Sequence, residues 1–232
     1  MNIVYWSDYA CPFCYIGETH MKQALKNLRM DVDMEMKAFE LDPSAGKQVA
    51  EPTVERFARK YGLSKEAAQA RIDGISQMGR ECGLDFRYAE TRYTNTFDAH
   101  RLTKLALEMG GSALADRVSE RLYRAYFTEE RELADYGVLC QIASEEGMGD
   151  VRDFLNSDRY AEETRLDERE AQRYGIGAVP YFIINGRYAV PGAAPVGELE
   201  RVLKKAAEEE SEVSVQEGMS CGPDGCRIDA RK

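Results

Sequence analysis

The feature that most constrains the fold is a pair of cysteines, Cys11 and Cys14, set between a strand-forming segment and a helix-forming segment. Residues 3–6 are a short apolar run, which is typical of a buried strand. From residue 21 to residue 28 apolar side chains recur at spacings of four and three, which indicates one face of a helix. Residues 32–38 then alternate between apolar and charged side chains, as a strand does. This order predicts a βαβ unit with the cysteines at the start of its helix.

The spacing of Cys11 and Cys14 is typical of a thioredoxin-like redox motif when it stands beside a βαβ unit. Pro12 suits the first helical turn because the N–H that it lacks has no helical partner there. The free N–H groups at the helix start stabilise a thiolate on Cys11, and the thiolate is the attacking species. We therefore predict Cys11 as the nucleophile and Cys14 as the resolving thiol. The alternatives are that these two cysteines form half of a zinc site or are inert thiols in the core.

The composition limits the class of protein. The 232 residues carry 31 basic and 41 acidic side chains, a net charge of -10, which argues against a nucleic-acid partner. The longest uncharged stretch, residues 174–186, is too short and too rich in Gly and Pro to span a membrane. No Lys or Arg precedes Lys22, so no secretory signal is visible. We expect a cytoplasmic protein, and in that compartment six cysteines do not form a disulfide framework.

Helical patterns fill the middle of the chain, from about residue 51 to residue 149, and one of these helices ends before Gly110-Gly111 with another beginning after it. Strand signals return at residues 180–184 and 187–190. Asn185-Gly186 lies between them and strongly favours a tight hairpin turn. A last helix follows, and an acidic run after residue 208 breaks its pattern.

These patterns predict an α/β protein of the thioredoxin type, with a four-stranded sheet covered by helices on both faces. Its parts are a first thioredoxin-like segment (1–48), an inserted helical subdomain (49–157), a second thioredoxin-like segment (158–208) and a polar, mobile tail (209–232).

The bond between Val179 and Pro180 stands directly before the predicted hairpin. In a thioredoxin-like fold a cis proline at this place faces the cysteine pair and leaves the preceding backbone free to pair with an extended substrate. An ordinary trans proline at the start of a strand is the alternative, and trans is by far the commoner form. The occurrence of both features in one chain favours the thioredoxin-like interpretation.

Three ordered segments resemble the DsbA family of the thioredoxin fold. They run from Ser7 through Cys11-Pro12-Phe13-Cys14 to Gly17, from Asn95 to Leu102, and from Gly177 through Val179-Pro180 to Ala193. The chain is most similar to the FrnE-like branch, whose relatives include 2-hydroxychromene-2-carboxylate isomerases and kappa-class glutathione transferases. Over residues 1–208 the resemblance implies a thioredoxin fold with an inserted helical subdomain, cis Pro180, and thiol–disulfide exchange at the cysteine pair.

The chain departs from its relatives at the motif itself. DsbA has Pro-His between its cysteines, whereas Phe13 supplies neither charge nor hydrogen bond. We therefore predict a less stabilised Cys11 thiolate and a less oxidising pair. The isomerases and transferases typically have Ser at the nucleophile, so two retained cysteines favour redox chemistry. The resemblance also places His100 near the active site, where it could donate to a substrate or tune Cys11; a buried structural histidine is the alternative.

A second pair, Cys221 and Cys226, flanks Gly-Pro-Asp-Gly near the C-terminus. Pro-Asp is a good turn centre, and a tight turn would bring the two Cα atoms close to disulfide spacing. Some FrnE-like proteins similarly carry a second C-terminal pair. We predict that this pair relays electrons to or from the N-terminal pair, with a passive or metal-binding tail as the alternative. Cys82 and Cys140 lie on apolar helical stripes and are predicted to be buried packing residues.

The sequence therefore predicts a protein thiol–disulfide oxidoreductase that needs no metal or organic cofactor. Its partners would be protein or small-molecule thiols and disulfides, with glutathione as an open co-substrate. A second hypothesis is glutathione-dependent isomerisation or transfer on a small aromatic substrate, with Cys11 activating the glutathione thiol. A third is a non-catalytic module whose helices bind a partner and whose thiols sense oxidants. The oligomeric state is open, a dimer included.

Overall fold

The computed structural model describes the backbone of residues 1–217, 219–222 and 225–228 and the side chains of residues 1–210. The strands are β1 (Ile3–Ser7), β2 (Met34–Ala38), β3 (Tyr181–Ile184), β4 (Tyr188–Pro191), β5 (Met219–Gly222) and β6 (Gly225–Ile228). The helices are α1 (Pro12–Leu28), α2 (Thr53–Tyr61), α3 (Lys65–Glu81), α4 (Phe97–Phe127), α5 (Tyr136–Glu145), α6 (Arg152–Leu155), α7 (Ala161–Arg173) and α8 (Val196–Glu217). Within the described residues no helix is both long and apolar enough to cross a membrane.

The predicted four-stranded sheet is confirmed, with strand order β2-β1-β3-β4. β1 pairs with β2 in parallel, as a βαβ unit requires, and with β3 in the antiparallel direction. β3 and β4 form the hairpin, in which Asn185 and Gly186 have φ of 52° and 64°. Positive φ at both central positions is the mark of a type I′ turn. The sheet therefore places the C-terminal end of β1 beside the start of β3.

Successive side chains of β1 point to opposite faces of the sheet. Ile3 and Tyr5 pack with α1 and α8, whereas Trp6 packs among residues of the larger core that includes α4 and α7. The central strand is thus buried on both sides. An aromatic cluster joins α1 to the helices of the middle segment, and its members are Tyr15, Phe86, Tyr88, Tyr123 and Phe127.

The helices predicted on either side of Gly110 and Gly111 are both present, as two helical segments of α4 joined at a kink. The bend lies at these glycines, whose φ values are -148° and 67°. The left-handed conformation at Gly111 is one that residues with a Cβ rarely adopt. The sequence thus predicts the break, and α4 continues past it to Phe127.

The C-terminal region differs from the prediction. The last helix does not end at residue 208, because α8 continues to Glu217. Glu is a good helix former, and no Gly or Pro interrupts residues 198–217. β5 and β6 follow as an antiparallel pair in which Cys221 is opposite Cys226.

Candidate active site

The first cysteine pair lies where β1 ends and α1 begins. Cys11 is the N-cap residue of α1, with an extended backbone, and Cys14 is inside the first turn. Pro12 is the first helical residue, where it costs no hydrogen bond. Both thiols are free, and the exposed fractions are 4% for Cys11 and 0% for Cys14. Both thiols are therefore buried, and of the two it is Cys11 that lines the neighbouring cavity.

Burial raises the pKa of the Cys14 thiol well above its ordinary value, and the neighbouring Cys11 raises it further. Hydrogen bonds from Ser7 and from the backbone of Asp8 lower the pKa in part; the Asp8 N–H lies 3.5 Å from the Cys14 sulfur. Since the burial effect is the largest, Cys14 is a neutral thiol at rest.

The loop before β3 closes over the motif from the other side. The peptide bond between Val179 and Pro180 is cis, as the resemblance implies. The Cys11 sulfur lies 3.5 Å from the Val179 carbonyl oxygen. Helix α1 approaches this loop closely because Gly17 has no side chain; a Cβ there would lie 2.8 Å from Pro180 Cγ. The Cys11 sulfur is therefore held between the start of α1 and the Val179 backbone.

A cavity of about 620 Å³ opens beside Cys11. Phe13, 38% exposed, stands in its wall together with Val179. The opposite wall comes from α2, α3 and the aromatic residues between α3 and α4. The apolar side chains of that wall include Phe57, Tyr61, Ile75, Met78, Tyr88 and Tyr93.

Three cations also line this cavity: Arg56, Lys60 and Arg71. None of them forms an ion pair with another residue in the part of the chain whose side chains are described, although the chain has a net charge of -10. The Arg56 guanidinium stacks 3.6 Å from the centroid of the Tyr93 ring, and its buried Nε has no hydrogen-bond partner. Positive charge on apolar walls suits a ligand that has an apolar part and a negative charge.

Sequence analysis missed these cations. Their only local signal is the spacing of four between Arg56 and Lys60, which puts both on one face of α2. That spacing does not distinguish a ligand-binding face from a solvated one. Arg71 comes from α3, and only the packing of the two helices brings all three to the cavity.

Asp8 is a further residue of the candidate site that no sequence pattern indicates, beyond its place just before the cysteine pair. Its carboxylate accepts hydrogen bonds from the Leu41 N–H at 2.7 Å and from the Thr96 hydroxyl at 2.8 Å. One buried side chain thereby joins the active-site loop to the segment after β2 and to the start of α4. The backbone that carries Cys11 is therefore held by hydrogen bonds from distant parts of the chain.

His100 does not face the cavity beside Cys11. It is 2% exposed, packs 4.9 Å from the Tyr9 ring, and its Nε2 lies 3.7 Å from an Asp8 carboxylate oxygen. It lines a different cavity of about 280 Å³ between β2 and α4. The direction of α4 turns this side chain toward the sheet. His100 is thus buried away from the cavity beside Cys11, and its Nε2 has no hydrogen-bond partner among the described residues.

The other cysteines of the chain lie outside the Cys11–Cys14 motif. Cys82 and Cys140 are partly exposed, so the prediction that both are buried is wrong. Cys82 is the C-cap residue of α3, just beyond its last helical residue.

The side chains of Cys221 and Cys226 lie outside the described residues. Glu210, near the end of the described side chains, binds the Met1 amino group at the end of β1 opposite to Cys11. The relay from the tail therefore stays a prediction. Among described side chains no cluster of three or more metal-ligating residues is found.

A four-stranded sheet with a cysteine pair at the start of α1 and a cis proline opposite it defines a thioredoxin-like protein. Residues 2–204 match the DSBA-like thioredoxin domain, and the chain belongs to that family.

Three known proteins are similar to this chain, with different degrees of sequence identity. The crystal structure of probable DsbA oxidoreductase SCO1869 from Streptomyces coelicolor is 36% identical, with a TM-score of 0.83 over 99% of this chain and 100% of that one. "Uncharacterized protein YwbO" of Bacillus subtilis (strain 168) is 28% identical over 88% of this chain and 96% of its own length. A 2-hydroxychromene-2-carboxylate isomerase is 14% identical, with a TM-score of 0.67 over 92% and 99% of the two chains, and so shares the fold.

Proposed function

We propose that this protein is a thiol–disulfide oxidoreductase whose redox centre is Cys11 and Cys14. The observation that carries the proposal is the difference between the two thiols. Cys11 caps α1 and lines the cavity beside the Val179 carbonyl, whereas Cys14 is fully buried behind it. Membership of a family with DsbA-like oxidoreductases supports the same chemistry.

In the reducing direction the Cys11 thiolate attacks one sulfur of a substrate disulfide. The substrate S–S bond breaks, one substrate thiolate leaves, and a mixed disulfide joins Cys11 to the other half. Cys14 then loses its proton and attacks the Cys11 sulfur, which releases the second thiolate. Two electrons pass to the substrate and the protein retains a Cys11–Cys14 disulfide. The reverse sequence oxidises a dithiol, and the reduction potentials of the two partners set the direction.

The cavity supports a substrate class. Arg56, Lys60 and Arg71 favour a thiol or disulfide with a negative charge, and the aromatic walls favour an apolar group beside it. Acidic peptides and glutathione both belong to this class. We expect the reaction in a reducing compartment, the cytoplasm, with no bound metal or organic cofactor.

The test is substitution of each cysteine followed by reduction of a small peptide disulfide. Cys11→Ser should lower the rate by about a thousandfold or more, because the attacking thiolate is lost. Cys14→Ser should retain the first attack and accumulate a mixed disulfide on Cys11, which mass spectrometry detects. If Cys11→Ser retains the wild-type rate, the proposal is wrong.

The cationic cavity also favours a second candidate, glutathione-dependent isomerisation or transfer on a small aromatic substrate. Three cations that form no ion pair with any described side chain suit the carboxylates of glutathione or of an aromatic acid. In that case the protein should bind glutathione saturably without reducing any disulfide, and Cys14→Ser should leave its turnover unchanged. Oxidoreductase activity that depends on both cysteines would exclude this candidate as the main function.

A further inference from the structure

A second thiol outside this site is paired with a base. The Cys82 sulfur lies 3.1 Å from His20 Nε2. The other ring nitrogen of His20, Nδ1, lies 2.9 Å from the Ala194 carbonyl oxygen. A nucleophile, a base and a group that orients the base therefore stand in a row, which is the arrangement that activates nucleophilic side chains.

The Ala194 carbonyl decides the tautomer of His20. A carbonyl oxygen only accepts hydrogen bonds, so Nδ1 must carry the proton that it receives. In the neutral imidazole Nε2 then has a free lone pair, and this lone pair faces the Cys82 sulfur. The Cys82 thiol lies 3.2 Å from the Met78 carbonyl oxygen as well, so it has two acceptors within reach. Nε2 is the one that can take the proton away.

This pair is separate from the Cys11–Cys14 centre. His20 lies nine residues after Cys11 on the path of α1, about 13 Å along the helix axis. Cys82 is one turn beyond Met78, which lines the active-site cavity. Both residues of the pair are partly exposed, so a small molecule can approach them from solvent.

We propose that Cys82 is an independent nucleophilic thiol, with His20 as its general base, that forms mixed disulfides with low-molecular-weight disulfides. The Cys82 sulfur attacks one sulfur of the small disulfide while His20 Nε2 takes the thiol proton. A bond forms between Cys82 and that sulfur, the original S–S bond breaks, and the departing thiolate receives the proton from His20. Cys82 is oxidised and one half of the small disulfide is reduced. The reaction requires neither Cys11 nor Cys14.

Cys140 is a natural reference thiol in the same chain. Burial raises the pKa of Cys82, as does the neighbouring Glu81; burial and Asp150 likewise raise the pKa of Cys140. Both are partly exposed thiols that are neutral at rest. They differ in that Cys82 has an imidazole at hydrogen-bond distance. A higher reactivity of Cys82 would therefore report the base.

The experiment exposes the reduced full-length protein to glutathione disulfide and follows the adduct at each cysteine by peptide mass spectrometry. A positioned general base typically contributes a hundredfold or more, and we expect Cys82 to react at least about tenfold faster than Cys140. His20→Gln should slow Cys82 by at least about tenfold and leave Cys140 unchanged. Equal rates at the two cysteines in the wild-type protein would overturn the proposal, and so would an unchanged Cys82 rate in a folded His20→Gln variant.

A Cys11→Ser variant separates this proposal from the proposed oxidoreductase function. The rate of adduct formation at Cys82 should not change, because His20 rather than Cys11 activates the thiol. Loss of the Cys82 adduct in this variant would show that Cys11 transfers it, and the proposal would be wrong. The comparison of Cys82 with Cys140 in the wild-type protein needs no substitution, so it decides the matter even if a variant does not fold.

Discussion

Two residues separate Cys11 from Cys14, yet their surroundings differ. Cys11 stands at the helix end beside the cavity, whereas Cys14 packs against the end of β1 and receives the Asp8 N–H. The difference arises from helix geometry. Three residues make almost one full helical turn, so Cys14 lies almost one turn further along the helix than Cys11. Position along one helical turn thus separates a thiol that lines the cavity from a thiol that packs in the core.

This difference predicts the order in which the reduced protein is alkylated. Each unit by which a pKa is raised lowers the thiolate fraction about tenfold at a given pH, and burial raises the pKa of Cys14. Iodoacetamide at pH 8 should therefore modify Cys11 at least about tenfold faster than Cys14, as measured by peptide mass spectrometry. Equal labelling of the two thiols in the folded protein would contradict the buried placement of Cys14.

Phe13 is the residue of the motif that we expect to set its potential. Its ring is 38% exposed at the cavity wall and offers the Cys11 sulfur no hydrogen bond. Phe13→His should stabilise the reduced form by about 1.5 kcal/mol, the lower range for a hydrogen bond to a charged group, and so make the pair more oxidising by about 30 mV. Equilibration in glutathione buffers measures the shift. Phe13→Leu, the matched control, should leave the potential within about 10 mV.

At the scale of elements, glycines set how closely α1 and α3 approach their neighbours. Gly17 on α1 meets Pro180 and Ala193, and Gly79 on α3 meets the buried ring of Phe86. A Cβ at Gly79 would lie 2.5 Å from Phe86 Cγ, which is closer than two carbon atoms pack. The helices that form the cavity wall are therefore positioned by the absence of side chains at these points.

Two substitutions within α3 test this packing. Gly79→Ala should lower the free energy of unfolding by about 1–3 kcal/mol, because the rigid ring of Phe86 must move. Gly74→Ala, whose Cβ would meet nothing within 4 Å, should raise it by about 0.5–1 kcal/mol through helix propensity. Urea denaturation measures both. Similar effects of the two substitutions would show that Gly79 does not carry the contact with Phe86.

At the scale of the whole molecule, buried charged groups join segments that are distant in the chain. Glu18 of α1 is 1% exposed. The Lys22 amino group lies 2.9 Å from a carboxylate oxygen of Glu18 and 2.6 Å from a carboxylate oxygen of Asp116 on α4. Burial raises the pKa of Glu18, and Lys22 offsets this only in part. Ionisation of Glu18 is therefore less favourable in the folded chain than in the unfolded chain, so its contribution to stability depends on pH.

Glu18 predicts the sign of that dependence. A raised pKa in the folded state contributes stability below the ordinary value of 4.5, and this contribution is lost as the pH rises through the raised pKa. Glu18→Gln removes the ionisation, so its free energy of unfolding relative to wild type should increase between pH 5 and pH 8. Urea denaturation at several pH values measures the trend. Glu163→Gln, at an exposed carboxylate of α7, should show none.

Features that depend only on neighbouring residues were predictable from the sequence. The βαβ unit, the cysteine pair at a helix start, the Asn185-Gly186 hairpin and the bend at Gly110-Gly111 each depend on local backbone preferences. The predicted end of the last helix at the acidic run is wrong, because Glu supports a helix and α8 continues to Glu217.

Only the tertiary structure decided which distant side chains meet. Arg56 and Arg71 reach one cavity because α2 and α3 pack together, and His100 lies near Asp8 rather than beside that cavity. Cys82 meets His20 across 62 positions of the chain. Backbone preferences act over a few residues, so the sequence by itself determined the elements and the cysteine motif. The partners of each polar side chain follow from how those elements pack, which no local pattern records.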